Sequence, residues 1–75
     1  MNEFISLNNA IINEEYIIDK ILFNDKRFYN LGIIENSKIK PLYKSPFGNP
    51  TAYFIKGSIV AIRNDDAKLI IVRRN

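Results

Sequence analysis

The chain of 75 residues contains neither cysteine nor histidine. Without cysteine it has no disulfide and no thiolate metal site, which argues against a small secreted scaffold and favours the reducing cytosol. Without histidine, the commonest transition-metal ligand and the commonest acid–base catalyst are both missing. The composition therefore predicts no metal site and no catalytic residues, and it indicates that the chain is not an enzyme.

Glycine is also scarce, and the three glycines at positions 32, 48 and 57 lie far apart. A phosphate-binding loop needs several glycines close together so that backbone N–H groups can approach the anion. The sequence thus predicts no nucleotide loop and no cofactor. Serine catalysis would need a lysine as its base, and at Ser37 and Lys38 the two side chains are expected to point apart.

Long apolar runs are absent as well. Runs such as residues 59–62 and 69–72 have the length of a strand, whereas a membrane-spanning helix needs about 20 residues. The first residues carry Glu3 where a secretory signal would carry a basic residue,. We therefore expect a cytosolic chain that does not cross a membrane.

Charge is distributed unevenly along the chain, whose formal net charge is +3. The first 37 residues hold three bases and six acids, and the remaining residues hold eight bases and two acids. A basic half could contact nucleic acid, anionic lipid or an acidic protein. Isoleucine, asparagine and lysine are all frequent, which is typical of an A+T-rich coding sequence. The basic charge alone therefore does not identify a binding partner.

Two acidic pairs are candidates for weak binding of a hard cation through oxygen. They are Glu14 with Glu15, and Asp65 with Asp66. Both pairs lie in predicted turns, where solvated acids are the norm. The interpretation that they are simply solvated is therefore preferred.

The pattern of apolar residues predicts a small all-β domain over residues 1–75. Strands are predicted at residues 16–23, 38–44, 51–55, 59–63 and 68–73, after a one-turn lead-in at residues 6–10 with Ser6 as its candidate cap,. Paired apolar residues predict that the first strand is bulged or strongly coiled. Pro41 places the second strand at an edge or a bulge, because it cannot donate a hydrogen bond. Five short strands predict a barrel or a sandwich, and the single thin core of so short a chain favours a five-stranded barrel.

One short helix is predicted over about residues 25–31. Asn24 or Asp25 can cap its start, because their side-chain oxygens accept hydrogen bonds from the free N–H groups of the first turn. Gly32 can end it in the left-handed conformation. Phe28 and Leu31 are three residues apart and share one helix face, which predicts that both pack against the sheet.

Aromatic residues cluster around a loop at residues 45–50, in which Pro46 and Pro50 fix the backbone,. Aromatic side chains beside bases can stack nucleobases, and they can equally form a protein-binding patch. Each of them can instead face the core. Phe54 is the expected core member. The candidates for exposure are Tyr43, Phe47 and Tyr53.

Four segments in this order resemble the ferrous iron transport protein A (FeoA) family of small cytosolic SH3-like barrels. Residues 27–33 resemble the family's helix end, Arg-Leu-x-Asp/Glu-Leu-Gly-Leu, and residues 45–50 resemble its Pro-x-Gly-Asp-Pro loop. Residues 57–63 are similar to its Gly-x-x-Ile/Leu-Ala-Leu-Arg strand, and residues 67–72 to its final Ala-x-x-Ile-x-Val. The sequence departs from the pattern at Phe28 and Asn30, which replace a leucine and an acid. Asn13 and Asn36 stand where the family has Pro-Gly turns, and asparagine tolerates the left-handed conformation.

The resemblance implies an SH3-like fold and an accessory, regulatory role in bacterial ferrous iron uptake. The partner it implies is the cytosolic part of a membrane ferrous iron transporter with a GTPase domain (FeoB type), contacted at the inner face of the cell membrane. Transition-metal binding is implied by the family alone, and self-association is left open. The expected partner-binding residues are Arg27, Tyr29, Tyr43, Pro46, Phe47 and Tyr53. Structural roles are expected for Phe28, Leu31, Gly32, Gly48, Pro50, Phe54, Gly57 and Ala61.

An alternative from another class is a small RNA-binding β-barrel of the ring-forming kind. It is supported by the basic second half and by the turn at residues 55–58, which is loosely similar to the Ile-Arg-Gly turn of such proteins. The two hypotheses differ in a measurable way, because phosphate contacts make RNA binding fall steeply with salt.

Overall fold

The computed structural model describes residues 3–23 and 26–75, apart from the side chain of Arg27. It contains two short helices, α1 (Lys26–Asn30) and α2 (Asn64–Ala67), and a 3₁₀ helix at Leu7–Asn9. The six strands are β1 (Phe4–Ser6), β2 (Tyr16–Ile21), β3 (Lys38–Lys44), β4 (Thr51–Ile55), β5 (Ser58–Ile62) and β6 (Ile70–Arg74). The 3₁₀ helix is the predicted lead-in, although the Ser6 side chain makes no capping hydrogen bond.

The strands form one sheet in the order β1-β6-β2-β3-β4-β5, and all neighbours are antiparallel. β2 and β3 share only two register pairs, Tyr16 with Ile39 and Ile17 with Lys38. The sheet can therefore bend between them, and its halves β1-β6-β2 and β3-β4-β5 both contribute to one core. In the described ranges β5 does not pair with β1. The predicted five-stranded barrel is thus corrected to an open sheet of six strands.

Two elements, β1 and α2, explain why the structure has one more strand and one more helix than predicted. β1 has only three residues, too few to show a periodic pattern, and it forms because it pairs with β6 along residues 71–73. α2 replaces the turn predicted at residues 64–66. Asp65 and Asp66 lie in its first turn, where the positive end of the helix favours acids.

The strand bounds follow the predictions closely, and both strands for which a bulge was one of two alternatives contain a register shift. β3 and β4 have the predicted bounds, β2 ends two residues early, β5 is shifted by one residue, and β6 begins two residues late. The register of β2 against β6 shifts between Ile18 and Lys20. The register of β3 against β4 shifts between Pro41 and Tyr43. β3 pairs with β2 only at Lys38 and Ile39, so among the described residues the strand partner at Pro41 is β4, where the bulge begins.

Helix α1 ends where glycine allows it. Gly32 has a φ of +91°, and its N–H donates to the Tyr29 carbonyl at 3.0 Å, while the N–H of Ile33 donates to the Phe28 carbonyl at 3.0 Å. The predicted left-handed end is confirmed. The predicted caps, Asn24 and Asp25, lie outside the described residues.

The hydrophobic core joins both halves of the sheet and both ends of the chain. Its buried members include two tyrosines, and the hydroxyl of Tyr16 accepts a hydrogen bond from the Ile11 N–H at 2.9 Å. Phe28 packs partly buried against this core, but Leu31 is exposed, which corrects the expectation that both cover the sheet. The full cluster is Leu7, Tyr16, Ile18, Ile33, Ile39, Tyr53, Ile55, Ile62, Ala67, Ile70 and Val72.

The expected burial of Tyr53 and Phe54 is reversed in the structure. Tyr53 is 1% exposed and Phe54 is 44% exposed. Side chains alternate along a strand, and Tyr53 is paired with Pro41 and Val60 on the inner face. Phe54 therefore lies on the outer face, paired with Ile59. Ala61, for which a structural role was expected, is also exposed.

Candidate functional site

The loop between β3 and β4, residues 45–50, is held by its own hydrogen bonds. The Gly48 N–H donates to the Ser45 carbonyl at 2.8 Å, and the Asn49 N–H donates to the Ser45 hydroxyl oxygen at 3.1 Å. The Ser45 N–H donates to the Pro50 carbonyl at 3.1 Å. The peptide bond before Pro50 is cis. We call this segment the proline loop.

The proline loop is also fixed to α2 from outside. The backbone N–H of Asn64 donates to the Asn49 side-chain oxygen at 3.0 Å, and the Asn64 side-chain amide donates to the Gly48 carbonyl at 3.2 Å. Asn64 is the first residue of α2, so its N–H would otherwise lack a partner within the helix. Asn49 of the proline loop thus accepts a hydrogen bond from the first N–H of α2, and Asn64 of α2 donates one to a carbonyl of the loop.

The apolar side chains of this loop point away from the protein. Phe47 is 93% exposed, Pro46 is exposed, and Tyr43 at the end of β3 is exposed as well. Exposing a phenylalanine ring to water is unfavourable, and burying such a ring contributes roughly 1.5–3 kcal/mol. The proline loop therefore presents an aromatic contact at a position that the surrounding hydrogen bonds have already ordered.

Tyr53, which was expected to belong to this surface, does not reach it. Its side chain lies inside the core. Burial raises the pKa of the Tyr53 hydroxyl above its ordinary value, and a side-chain hydrogen bond with Thr51 acts in the opposite direction. The prediction that Tyr53 is exposed is wrong, because the register of β4 places it on the inner face.

Tyr29, the helix residue predicted to support the proline loop, lies at the other end of β4. It is 67% exposed, and it lines a pocket together with Ile55, Lys56 and Val60. The proline loop adjoins Thr51 at the opposite end of the strand, and five residues of strand extend over about 13 Å. The structure therefore divides the predicted surface into two.

The α1 end contains a groove of about 460 Å³, with Glu35 and Asn36 among its lining residues, that the sequence did not predict. It exists because the segment after α1 lies against β2, where the Asn36 N–H donates to the Ile18 carbonyl at 2.7 Å. Phe23 and Phe28 form an edge-to-face pair in its wall, with ring centroids 5.0 Å apart. The walls include Ile21, Phe23, Phe28, Tyr29, Ile33 and Ile34. We call it the α1 groove.

The acidic pairs considered as cation sites lie beside bases. Glu14 is 3.0 Å from the Arg74 guanidinium, and Asp65 is 3.8 Å from the Lys68 ammonium. Among the residues that the structure describes, no three acids gather in a group that could hold a metal ion. In the same part of the chain, no helix has the length and apolar character to span a membrane.

The segments that build these surfaces fall within one known family. A model of the FeoA domain matches residues 5–74, which is nearly the whole chain. The chain belongs to the FeoA family. This FeoA domain is thereby associated with ferrous iron transport, which favours the iron-uptake hypothesis over the RNA-binding alternative.

Solved structures of FeoA proteins have the same fold as this FeoA domain. The FeoA-like protein of Clostridium acetobutylicum is 27% identical, with 99% of this chain and 90% of that chain covered and a TM-score of 0.86. The FeoA protein of Chlorobium tepidum is 20% identical over 93% of this chain and 70% of that chain, with a TM-score of 0.87.

A third relative supplies the name of the fold. The FeoA of Stenotrophomonas maltophilia, a procaryotic SH3 domain protein complexed with zinc, is 18% identical over 88% of this chain and 86% of that chain, with a TM-score of 0.75. The FeoA domain described here is accordingly SH3-like. A sequence search of curated proteins gave no match.

Proposed function

We propose that this FeoA domain is an accessory protein of bacterial ferrous iron uptake that regulates a membrane transporter by direct contact. The partner is the cytosolic part of a ferrous iron transporter with a GTPase domain (FeoB type), and the contact places the domain at the inner face of the membrane. Membership of the FeoA family supports the link to iron uptake. The domain acts by binding and carries out no reaction of its own.

The observation that carries this proposal is the exposure of Phe47 on an ordered loop. The ring is 93% exposed, while the residues beside it are held by hydrogen bonds within the loop and to Asn64. A loop that is already ordered loses little conformational entropy when it binds. Burial of the ring in a pocket of the partner then contributes almost fully to affinity, as is usual for the few residues that dominate an interface.

Tyr43 and Pro46 extend this contact beside Phe47. Both are exposed, and Lys44 follows Tyr43 with an exposed side chain that can form a polar rim,. Tyr29 would form a second contact, separate from the first, at the α1 end of the domain. Arg27, whose side chain is not described, is proposed to act with Tyr29 on the basis of its neighbouring place in the chain.

The test is binding of a Phe47→Ser variant to the purified cytosolic domain of the transporter. Because Phe47 makes little contact with its own domain, the melting temperature should stay within about two degrees. Affinity should fall at least about tenfold, since a dominant interface residue contributes more than 1.4 kcal/mol. Titration calorimetry or interferometry would measure the difference.

The matched control is Phe4→Ser, the same change at another exposed phenylalanine in β1. It should leave affinity unchanged. Equal affinity of the Phe47→Ser variant and the unaltered domain would show that the proline loop is not the interface. The corresponding variant of the α1 end, Tyr29→Ala, would then be expected to lose binding.

A further inference from the structure

Strand β5 is an edge strand that contains no charge, proline or bulge of the kind that usually prevents edge pairing. It comes last in the strand order, and among the described residues no strand pairs with its second edge. Its sequence, Ser-Ile-Val-Ala-Ile, has no charge and no proline, and its register with β4 has no bulge. Natural proteins protect exposed edges with such residues, with bulges or with very short strands. The other edge, β1, is protected by its length of three residues.

The hairpin geometry shows which backbone groups are free on β5. A two-residue turn at Lys56 and Gly57, both with positive φ, joins β4 to β5. In such a hairpin the residues that flank the turn form a hydrogen-bonded pair, and these pairs recur at every second residue. Ser58, Val60 and Ile62 therefore bond to β4. The N–H and C=O groups of Ile59 and Ala61 point to the free edge.

We propose that β5 pairs antiparallel with β5 of a second copy of this chain, with Val60 on the two-fold axis. In this register Ile59 lies opposite Ala61 of the second copy, and Ala61 lies opposite Ile59. These are the residues whose backbone groups are free, so the pairing forms four hydrogen bonds. The arrangement is closed, because a two-fold contact uses the same surface on both copies.

Side chains on the outer face complement each other in the same register. Phe54 and Ile59 form one exposed cross-strand pair, and the next pair joins the buried Ala52 to the exposed Ala61. The two-fold axis places the bulky Ile59, which is 61% exposed, beside the small Ala61 of the second copy. Each apolar row then continues across the edge from large residues on one copy to small residues on the other. This pattern favours a second copy over an unrelated strand.

The charges at the two ends of β5 also fit this pairing. Beyond the ends of the strand, the two-fold axis brings the turn at Lys56 of one copy toward the start of α2 of the other, which carries Asp65 and Asp66. Lys56 and Asp65 are both exposed. The two-fold axis forms this contact between opposite charges twice.

The association should be weak, because a five-residue strand gives an interface in the size class of transient contacts. Sedimentation equilibrium on the full chain, from about 10 µM to about 1 mM, covers that range of affinity. The average mass should rise from the 8.7 kDa of one chain toward twice that value. A constant mass of one chain over the whole range would overturn the proposal.

An Ile59→Lys variant tests the location of the contact, with Ile11→Lys as the matched control. Both isoleucines are at least half exposed, and both variants gain the same charge. Ile59→Lys should shift the dissociation constant upward at least about tenfold, since it adds a charge to an edge that had none. Ile11→Lys should dimerise like the unaltered chain. Equal weakening by both variants would contradict the assignment to β5.

Single cysteine variants test the register and do not depend on the lysine variants folding. The chain has no other cysteine. In Val60→Cys the two thiols face each other in a non-hydrogen-bonded pair, where the close Cα distance suits a disulfide. Mild oxidation should give a covalent dimer. In Ser58→Cys the thiols lie about 13 Å apart along the strands, so no dimer is expected, and equal cross-linking of both variants would overturn this register.

Discussion

The two ends of strand β4 hold an aromatic side chain at the surface by different means. At the Thr51 end, Asn64 donates hydrogen bonds to the Asn49 side chain and to the Gly48 carbonyl. These bonds order the proline loop, from which Phe47 projects into solvent. At the Ile55 end, the exposed Tyr29 lies beside Ile55 and Lys56, and Gly32 packs closely against the same two residues. A Cβ atom added at Gly32 would lie 2.9 Å from Lys56 Cγ and 3.2 Å from Ile55 Cγ2.

The difference shows how one short strand supports two independent surfaces. Polar contacts at the Thr51 end allow a single ring to project from the surface without apolar support. Packing at the Ile55 end instead creates concave surfaces, the α1 groove and the neighbouring pocket beside Tyr29. Changes at one end should therefore affect the other only through β4 itself.

The largest expected effect concerns β4, which joins the two ends. Tyr53→Ala should lower the free energy of unfolding by about 3–5 kcal/mol, because it removes a buried aromatic ring from the core. The neighbouring change Phe54→Ala should cost about 1 kcal/mol, since that ring is 44% exposed,. Urea unfolding of both variants measures the difference. Similar losses would mean that the inner and outer faces of β4 are not distinct.

The next largest effect on stability is expected at Gly32, where close packing adds to backbone strain, in comparison with Gly48, where strain acts alone. Gly32→Val should destabilise the domain by about 2–4 kcal/mol, because left-handed strain adds to the clash with Ile55 and Lys56. Gly48 also has a positive φ, +78°, but no atom lies within 4 Å of its Cβ position. Gly48→Val should therefore show the strain alone, about 1–2 kcal/mol.

Chemical denaturation of both glycine variants would measure the free energy of unfolding that each substitution removes. A larger loss for Gly32→Val than for Gly48→Val is the expected order. If the two losses are equal, close packing adds nothing at the α1 end, and the two ends of β4 do not differ in the way described.

A smaller effect is expected when the proline loop is released from α2. Asn64→Ala removes the side-chain donor to the Gly48 carbonyl, and it should cost about 1 kcal/mol. Hydrogen exchange of the Gly48 N–H, which is bonded to Ser45, should become faster. The Gly32 N–H at the opposite end should exchange at its original rate, and faster exchange there would show that the two ends are coupled.

The smallest effect is a dependence of stability on high pH. Burial raises the pKa of Tyr53 in the folded protein, so in the folded state this hydroxyl keeps its proton where an unfolded tyrosine loses it. The contribution of the Tyr53 hydroxyl to the free energy of unfolding is fully present below about pH 10, the pKa of an unfolded tyrosine. It is lost as the pH rises through the pKa of Tyr53 in the folded protein. Melting temperatures of the unaltered domain should fall more steeply above pH 10 than those of Tyr53→Phe. Parallel curves would contradict a raised pKa at Tyr53.

Much of the fold could be predicted because its signals are local. Alternation of charged and bulky residues set the bounds of β3, clustered isoleucines indicated the bulge in β2, and Pro41 indicated the bulge in β3. Gly32 marked the end of α1, and Asn36 takes the positive φ expected of it. Each of these depends on a few neighbouring residues and on backbone sterics.

The candidate site was predicted less well, since exposure depends on contacts between distant segments. The residues near Phe47 in the sequence do not indicate that Asn64 forms hydrogen bonds with the proline loop, because Phe47 and Asn64 are 17 positions apart. The α1 groove was missed for the same reason, as it forms between β2 and the segment that follows α1. The spacing of Phe23 and Phe28 around α1 was the one local signal for it.

Residue types and nearest neighbours account for the order of strands along the chain, the bulges, the glycine turns and the lack of histidine and cysteine chemistry. Contacts between distant segments account for the burial of Tyr53, the exposure of Phe54 and the position of Tyr29 and Phe47 at opposite ends of β4. They also account for the place of β5 at the edge of the sheet, as far as the described residues show. These contacts act through the register of the strands. One residue of shift moves every side chain of a strand to the other face, and register is fixed by pairing with strands elsewhere in the chain.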